Sequence, residues 1–160
     1  MTNYTDQPIR WSGQWQIQVK DAQTGEIRRD ETLNNHIMNT SLEAMSKTLM
    51  GTAPDIAIQQ LAIGTDSTPV TDSQTGLITE AYRTSMVVTA IYSATGKIQT
   101  EFYLTSTEGN MAIEEIGIFG GTAATTASDT GTLLSRILWS HTKTSSEEIS
   151  FIRVDTIGRG

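Results

Sequence analysis

Hydrophobic and polar residues alternate with a period of two along most of the chain. From Gln14 to Lys20, tryptophan, isoleucine and valine alternate with glutamine and lysine, which is the pattern of a strand with one buried face. Further segments show strand patterns at 26–32, 56–63, 81–93, 97–105, 111–119, 132–139 and 147–157. Residues 26–32 carry few apolar side chains, so we expect that strand at a sheet edge. A change of phase at 59–60 indicates a β-bulge.

One segment has the period of a helix instead. Thr40 and Glu43 have the spacing of a capping box, and Gly51 is typical of a helix end. Four apolar residues recur at spacings of four, three and four and therefore share one helical face: Met38, Leu42, Met45 and Leu49. We expect the methionines to fill gaps in the core rather than to form a binding surface.

Composition supports the strand pattern. The chain has 26 threonines and 17 isoleucines among 160 residues, and β-branched side chains suit a pleated sheet better than a helix. The predicted fold class is all-β, a β-sandwich of about eight strands with one short α-helix packed against it. We expect a single domain at 14–160, because neither a repeat nor a linker divides that range.

Residues 1–13 show no periodicity and predict a flexible N-terminal arm. Two interpretations are open: a frayed terminus, or an arm that orders on a neighbouring subunit with Trp11 as its anchor. Deleting 1–13 is expected to leave the fold intact and to weaken assembly.

Charge excludes some classes of partner. The formal net charge is −7, from 11 lysines and arginines against 18 aspartates and glutamates. A groove for nucleic acid needs clustered basic residues, and here they are scattered, so we expect no nucleic-acid partner. No apolar run approaches the roughly 20 residues of a membrane span, and the polar start lacks the apolar region of a signal peptide. We therefore expect no membrane partner.

Candidate chemistry is sparse. His36 and His141 are isolated, cysteine is absent, and no nucleophile elbow or phosphate-binding glycine motif is present. Adjacent glutamates on a strand face opposite sides, so Glu114 and Glu115 cannot act as a catalytic pair. Aspartates in loops lack the spacing of a calcium loop, and turn formation explains them better. We expect no enzyme, no catalytic residue, no cofactor and no metal.

A low-complexity segment at 120–131 is, with the Trp11 arm, a candidate for partner contacts. It reads GGTAATTASDTG, a composition too small and polar to pack, so a mobile exposed loop is expected. Loops on rigid β scaffolds often make contacts, and Thr125, Thr126 and Asp129 join Trp11 as candidate contact residues. The alternative is a tolerated insertion.

Glu115 stands in an apolar string from Ile113 to Phe119. A buried carboxylate needs a partner, and Arg83 or Arg136 could supply it as a structural ion pair. The alternative is that Glu115 faces water.

The order of several segments resembles a known family. A helix entered at Thr40 and ending at Gly51 is followed by four segments: Ile58–Gly64, Gly76–Arg83, Ile113–Phe119 and Gly131–Arg136. Over about residues 33–140 this order is similar to the N-terminal domain of tail-collar fibre proteins and related small virion proteins of tailed bacteriophages. Two departures are the extra N-terminal hairpin at 14–32 and the absence of a second glycine close after Gly64.

The resemblance implies a non-enzymatic virion structural protein, assembled in the host cytoplasm. The first expectation is a tail, baseplate or collar component that anchors or adapts a fibre, works as a homotrimer and contacts other virion proteins. A capsid decoration protein is the alternative. A carbohydrate-binding module is a further alternative, with Trp11, Trp15 and Trp139 as sugar platform and an exposed Trp139 or Tyr82 as its mark.

Overall fold

The computed structural model describes residues 8–52, 56–94 and 96–159, the side chains of 88–94 excepted. One helix, α1 (Asn39–Leu49), accompanies nine strands in the described part. The strands are β1 (Ile9–Asp21), β2 (Ile27–Asn34), β3 (Ile58–Gly64), β4 (Glu80–Ser85), β5 (Val88–Ala94), β6 (Lys97–Leu104), β7 (Ala112–Gly120), β8 (Thr132–Thr142) and β9 (Glu147–Arg159).

The strands form two antiparallel sheets. One has five strands in the order β2-β1-β9-β6-β5, and the other has four in the order β4-β3-β7-β8. A single apolar cluster draws buried side chains from both sheets, among them Trp15, Phe102 and Phe151 from the first and Leu61, Ile116 and Trp139 from the second. The predicted fold class, all-β with one short helix, is confirmed, and the two facing sheets form a sandwich.

Alternation along β1 directs its apolar residues into this core. Trp15, Ile17 and Val19 are buried, whereas the glutamines between them lie on the outer side. β1 pairs with β9 along its whole length and with β2 at the sheet edge, as predicted for residues 26–32. The phase change at 59–60 corresponds to a register shift between Ile58 and Gln60 in the pairing of β3 with β7.

The segment predicted as one strand at 81–93 is two strands in different sheets. β4 lies beside β3, and β5 lies beside β6. At the crossing, the Met86 amide donates to Gln59 O and the Val87 amide donates to Glu101 O. Both amides at the crossing therefore find a partner without a glycine or proline, and no such residue marks the break in the sequence.

The predicted arm at 1–13 is also wrong in part. β1 begins at Ile9, and Trp11 pairs with Ile157 of β9. Residues 1–7 lie outside the described residues. Deleting 1–13 would remove paired backbone from β1, so the expectation of an intact fold after that deletion does not hold.

Helix α1 differs from its prediction at its start and agrees at its end. Met38 is the N-cap, without a side-chain cap hydrogen bond. The Thr40 hydroxyl donates to Leu133 O at 2.5 Å instead, so the predicted capping box is wrong. The helix stops where Gly51 adopts a positive φ of 66°, a conformation that glycine takes without strain.

The apolar face of α1 is only partly covered. Met38 is fully buried, but Leu42 is 49% and Leu49 is 83% exposed. The sheet therefore does not cover the shared apolar face of the helix at these leucines. Contacts to the sheet come from the first turn, where the Ser41 hydroxyl donates to Leu134 O, and the rest of the helix extends past the sheet.

Substitution of Met38 and Leu49 tests this packing. Met38→Ala is expected to lower the free energy of unfolding by about 2–5 kcal/mol, because it leaves a cavity in a closed site. Leu49→Ala is expected to change it by less than about 0.5 kcal/mol, as at other exposed positions. Urea denaturation of both variants measures the difference. Equal losses would contradict the exposed helix face.

Candidate functional site

Two loops cover the outer face of the four-stranded sheet and enclose a cleft. One loop spans 65–79 and the other spans 120–131. The cleft has a volume of about 480 Å³ and is lined by 73–78 on one side and by Asp129 and Gly131 on the other, with Phe119 buried at its floor. A smaller apolar cluster lies beneath the loops and includes Met38, Ala62, Leu77, Phe119 and Leu133.

Charged residues occupy two neighbouring rows across the sheet below these loops. In one row, Gly64 pairs with Glu80 of β4 and with Glu115 of β7. In the next row, Ala62 pairs with Arg83, and Gly117 pairs with Arg136. Small residues lie in the middle of each row, Gly64 in the first and Ala62 and Gly117 in the second, and they leave room for the loop side chains. The Cβ that any other residue would add at Gly117 would lie 2.8 Å from Leu77 Cδ2.

Glu115 and Arg136 form a fully buried ion pair. The Arg136 Nε to Glu115 Oε2 distance is 2.7 Å, and both side chains are 0% exposed. Since Gly117 pairs with Arg136 and Glu115 lies two residues before Gly117, the two side chains are diagonal neighbours on one sheet face. Arg83, the other candidate partner of Glu115, pairs with a different carboxylate.

This pair holds the 65–79 loop. Arg136 Nη1 donates to Thr68 O at 3.0 Å and to Gln74 Oε1 at 3.1 Å. The Glu115 carboxylate accepts the backbone N–H groups of Ile78 and Thr79 at 3.1 and 2.8 Å. The ion pair therefore satisfies backbone groups at both ends of the loop.

Arg83 and Glu80 form the second buried pair, and it holds the 120–131 loop. Their side chains are 1% and 3% exposed, and the pair is bidentate with distances of 2.5 and 2.8 Å. Arg83 Nη1 donates to Thr130 O at 2.7 Å and to Thr125 O at 3.3 Å. The guanidinium also lies 3.9 Å from the centre of the Phe119 ring, a cation–π contact.

A β-bulge brings Glu80 and Arg83 together. Residues three apart on a regular strand point to opposite faces. The register between β3 and β4 shifts at Ile63/Gly64, and the extra residue puts both side chains on the same face.

The 120–131 loop is exposed, as expected, but it is hydrogen-bonded. The Thr125 amide donates to Thr130 Oγ1 at 3.0 Å, and that hydroxyl donates to Ala127 O at 2.8 Å. Asp129 adopts a positive φ of 58°, which is uncommon for a residue other than glycine. Thr125, Thr126 and Asp129 are all exposed. Of these candidate contact residues, Asp129 lines the cleft, and Trp11 lies elsewhere, on β1.

Loop residues also order the start of the 65–79 segment. Asp66 Oδ1 accepts the Thr68 amide at 2.7 Å. Hydrogen bonds from the side chain and backbone of Thr68 hold the pKa of Asp66 below its ordinary value.

Sequence reasoning did not identify Gln74, because its contact with Arg136 depends on the path of the whole loop.

A buried lysine lies outside the cleft. Lys143 is 2% exposed, and its amine donates to Thr105 O and Asn110 Oδ1, both at 2.8 Å. Burial lowers the pKa of Lys143. Nearby, burial and a hydrogen bond to Glu108 raise the pKa of Tyr82 to about 12. These groups close the 105–110 turn.

The histidines and tryptophans have structural partners. His36 lies 2.6 Å from Asp72, and His141 lies 3.1 Å from Glu147. Trp139 is 4% exposed and donates to Glu31 at 2.8 Å. Trp139 is thus buried, and it offers no platform for a sugar ring. Within the part of the chain that the structure describes, no group of three potential ligands is placed to hold a metal ion.

Comparisons with known proteins return nothing for this chain. No protein-family model, no curated protein and no solved structure matches it. Among the described residues, no helix is long and apolar enough to span a membrane.

Proposed function

We propose that this chain is a non-enzymatic structural subunit of a tailed bacteriophage particle, a tail, baseplate or collar component that anchors or adapts a fibre. The observation that carries the proposal is the loop surface above the four-stranded sheet, in which two buried ion pairs set the conformation of two exposed loops. The expected contacts are with other virion proteins and between copies of the chain in a homotrimer, assembled in the host cytoplasm.

The chemistry of the ion pairs favours recognition over stability. Replacing a buried ion pair by apolar residues is often neutral or stabilising, so such a pair is weak evidence for stability. Here both arginines also donate hydrogen bonds to loop carbonyls, those of Thr68, Thr125 and Thr130. Loops that are ordered before binding lose less conformational entropy when a partner arrives. A pre-organised loop surface suits a subunit that must join its neighbours in one orientation.

The segments that carry the family resemblance also meet at this site. Glu80 and Arg83 belong to Gly76–Arg83, Glu115 belongs to Ile113–Phe119, and Arg136 ends Gly131–Arg136. Residues that are distant in sequence therefore meet beneath one loop surface. This supports a shared role for the segments in contact formation.

Immunogold electron microscopy tests the proposal. Antibody against this chain is applied to phage particles from the source, and particles from a mutant with a stop codon early in the gene provide the control. Gold at the tail tip or collar, absent from the mutant, is the expected result. Gold over the head would make the chain a capsid decoration protein instead. Intact particles without label would overturn the virion assignment.

A further inference from the structure

A second cavity lies between the two sheets, away from the loop cleft. Its volume is about 320 Å³. Both sheets contribute to its walls, the five-stranded sheet through β1, β6 and β9 and the four-stranded sheet through Ile58 and Gln59 of β3 and through Met86, which follows β4. The walls are largely apolar and include Trp11, Ile56, Ile58, Met86, Ile98 and Ile157.

Two polar residues are the most deeply buried of those that line the cavity. Thr100 is 0% and Asp155 is 1% exposed. Asp155 Oδ1 accepts from Trp11 Nε1 at 2.8 Å and from Arg153 Nη2 at 2.7 Å. Asp155 Oδ2 and Thr100 Oγ1 have no hydrogen-bond partner among the described residues. The same holds for Arg153 Nε and Nη1 and for Asn35 Nδ2, but Arg153 and Asn35 do not line the cavity. Buried polar atoms rarely lack a hydrogen-bond partner, and each such case requires an explanation.

The chain makes specific room for this carboxylate. Gly13 of β1 faces Asp155 of β9. The Cβ that any other residue would add at Gly13 would lie 2.9 Å from Asp155 Oδ1 and 2.7 Å from Asn35 Nδ2. Glycine at this position lets β1 approach closely, so the polar end of the cavity is built by neighbouring strands.

The charges at this end define the complementary group. Arg153 is 0% exposed and already neutralises Asp155, so a cationic ligand would bring an uncompensated charge into a buried site. Asp155 Oδ2 accepts a hydrogen bond, and the Thr100 hydroxyl can donate one as well as accept one. A hydroxyl group both donates and accepts, so it offers the complementary role to each of these two atoms.

We propose that this cavity binds a small neutral ligand with an apolar body that ends in a hydroxyl group, an alcohol or a phenol. The apolar body contacts the isoleucines and the Trp11 indole. The hydroxyl donates to Asp155 Oδ2 and accepts from Thr100 Oγ1. This inference does not depend on the proposed function, because the cavity and the loop cleft share no lining residue.

Two ligands of the same shape separate the contribution of the hydroxyl group to binding from that of the apolar body. 4-Methylphenol and p-xylene differ by one hydroxyl in place of one methyl group. Each is titrated into the full-length protein and followed by amide NMR shifts and by the indole N–H signal of Trp11, assigned from its loss in Trp11→Phe. We expect saturable shifts around the cavity and about tenfold tighter binding of 4-methylphenol, the effect of a hydrogen bond to a charged acceptor.

Thr100→Val is the matched variant, because valine keeps the shape of threonine and removes its hydroxyl. We expect it to weaken 4-methylphenol binding several-fold and to leave p-xylene binding unchanged. Unchanged p-xylene binding also shows that the variant retains a folded cavity. A cavity-filling variant, Ile98→Phe, is expected to weaken both ligands.

The inference would be overturned by the absence of saturable shifts at the cavity, by equal affinity for the two ligands, or by an unchanged preference for 4-methylphenol in Thr100→Val. An adventitious surface site would show shifts that Ile98→Phe does not reduce, and this would also refute the proposal.

Discussion

Arg136→Met is expected to lower the free energy of unfolding by about 3–5 kcal/mol, because it leaves a buried carboxylate without its counterion. Methionine retains most of the length and apolar stem of arginine, so lost packing contributes little. Glu115 is 0% exposed and cannot turn to water. Urea denaturation with a two-state fit measures the loss.

Two controls accompany this variant. Lys47→Met removes the cation of an exposed ion pair with Glu43. The side chains of Lys47 and Glu43 are 51% and 64% exposed. A change of less than about 0.5 kcal/mol is expected there. The double variant Glu115→Gln/Arg136→Met is expected to recover part of the loss, since the unpaired charge is gone. A loss for Arg136→Met no larger than for Lys47→Met would contradict a buried ion pair.

Arg83→Met is expected to cause a loss of similar size, about 3–5 kcal/mol, because Glu80 is also buried. It has an additional local effect. Arg83 donates to Thr125 O and Thr130 O, so its removal frees the 120–131 loop from the sheet. Amide hydrogen exchange, which reports local opening, is expected to become faster in that loop.

The two arginine variants act as controls for each other. Arg136 contacts the 65–79 loop through Thr68 and Gln74 and makes none of the hydrogen bonds that hold the 120–131 loop. Faster exchange is therefore expected at 65–79 in Arg136→Met and at 120–131 in Arg83→Met. Equal acceleration of both loops in both variants would show general destabilisation. That result would contradict the inference that each ion pair holds the conformation of one loop.

Local patterns allowed accurate prediction of several elements. The alternation at 14–20 identified a half-buried strand, because side chains on a strand change face at every residue whatever lies opposite. The end of α1 at Gly51 was predictable for a similar reason, since a positive φ is a property of that residue and its neighbours. The edge position of β2 followed from its few apolar residues.

Elements that depend on distant partners were predicted poorly. The apolar stripe of α1 satisfied the helical period, yet Leu42 and Leu49 are exposed because only the first turn reaches the sheet. Periodicity shows which side chains share a face, but it does not show how much of that face a neighbour covers. Trp11 was assigned to an arm for a different reason, because residues 1–13 show no periodicity, and its place in β1 is set by pairing with the distant strand β9.

The candidate site shows most clearly the difference between features that a local pattern predicts and features that depend on distant partners. An acidic residue in an apolar string was enough to predict that Glu115 needs a basic partner if buried, because burying a lone carboxylate is costly. The choice of Arg136 required the register of β7 with β8, and the pairing of Arg83 with Glu80 required the bulge opposite β3.

The sequence by itself determined the strand-rich class, the end of the helix and the need for a partner at Glu115, all of which arise from local geometry and from the cost of burying charge. The tertiary structure alone decided which sheet each strand joins, including the division of 81–93 between two sheets. It also decided which arginine meets which glutamate and where the two cavities lie. Those features depend on contacts between residues far apart in the chain, which a local pattern does not encode.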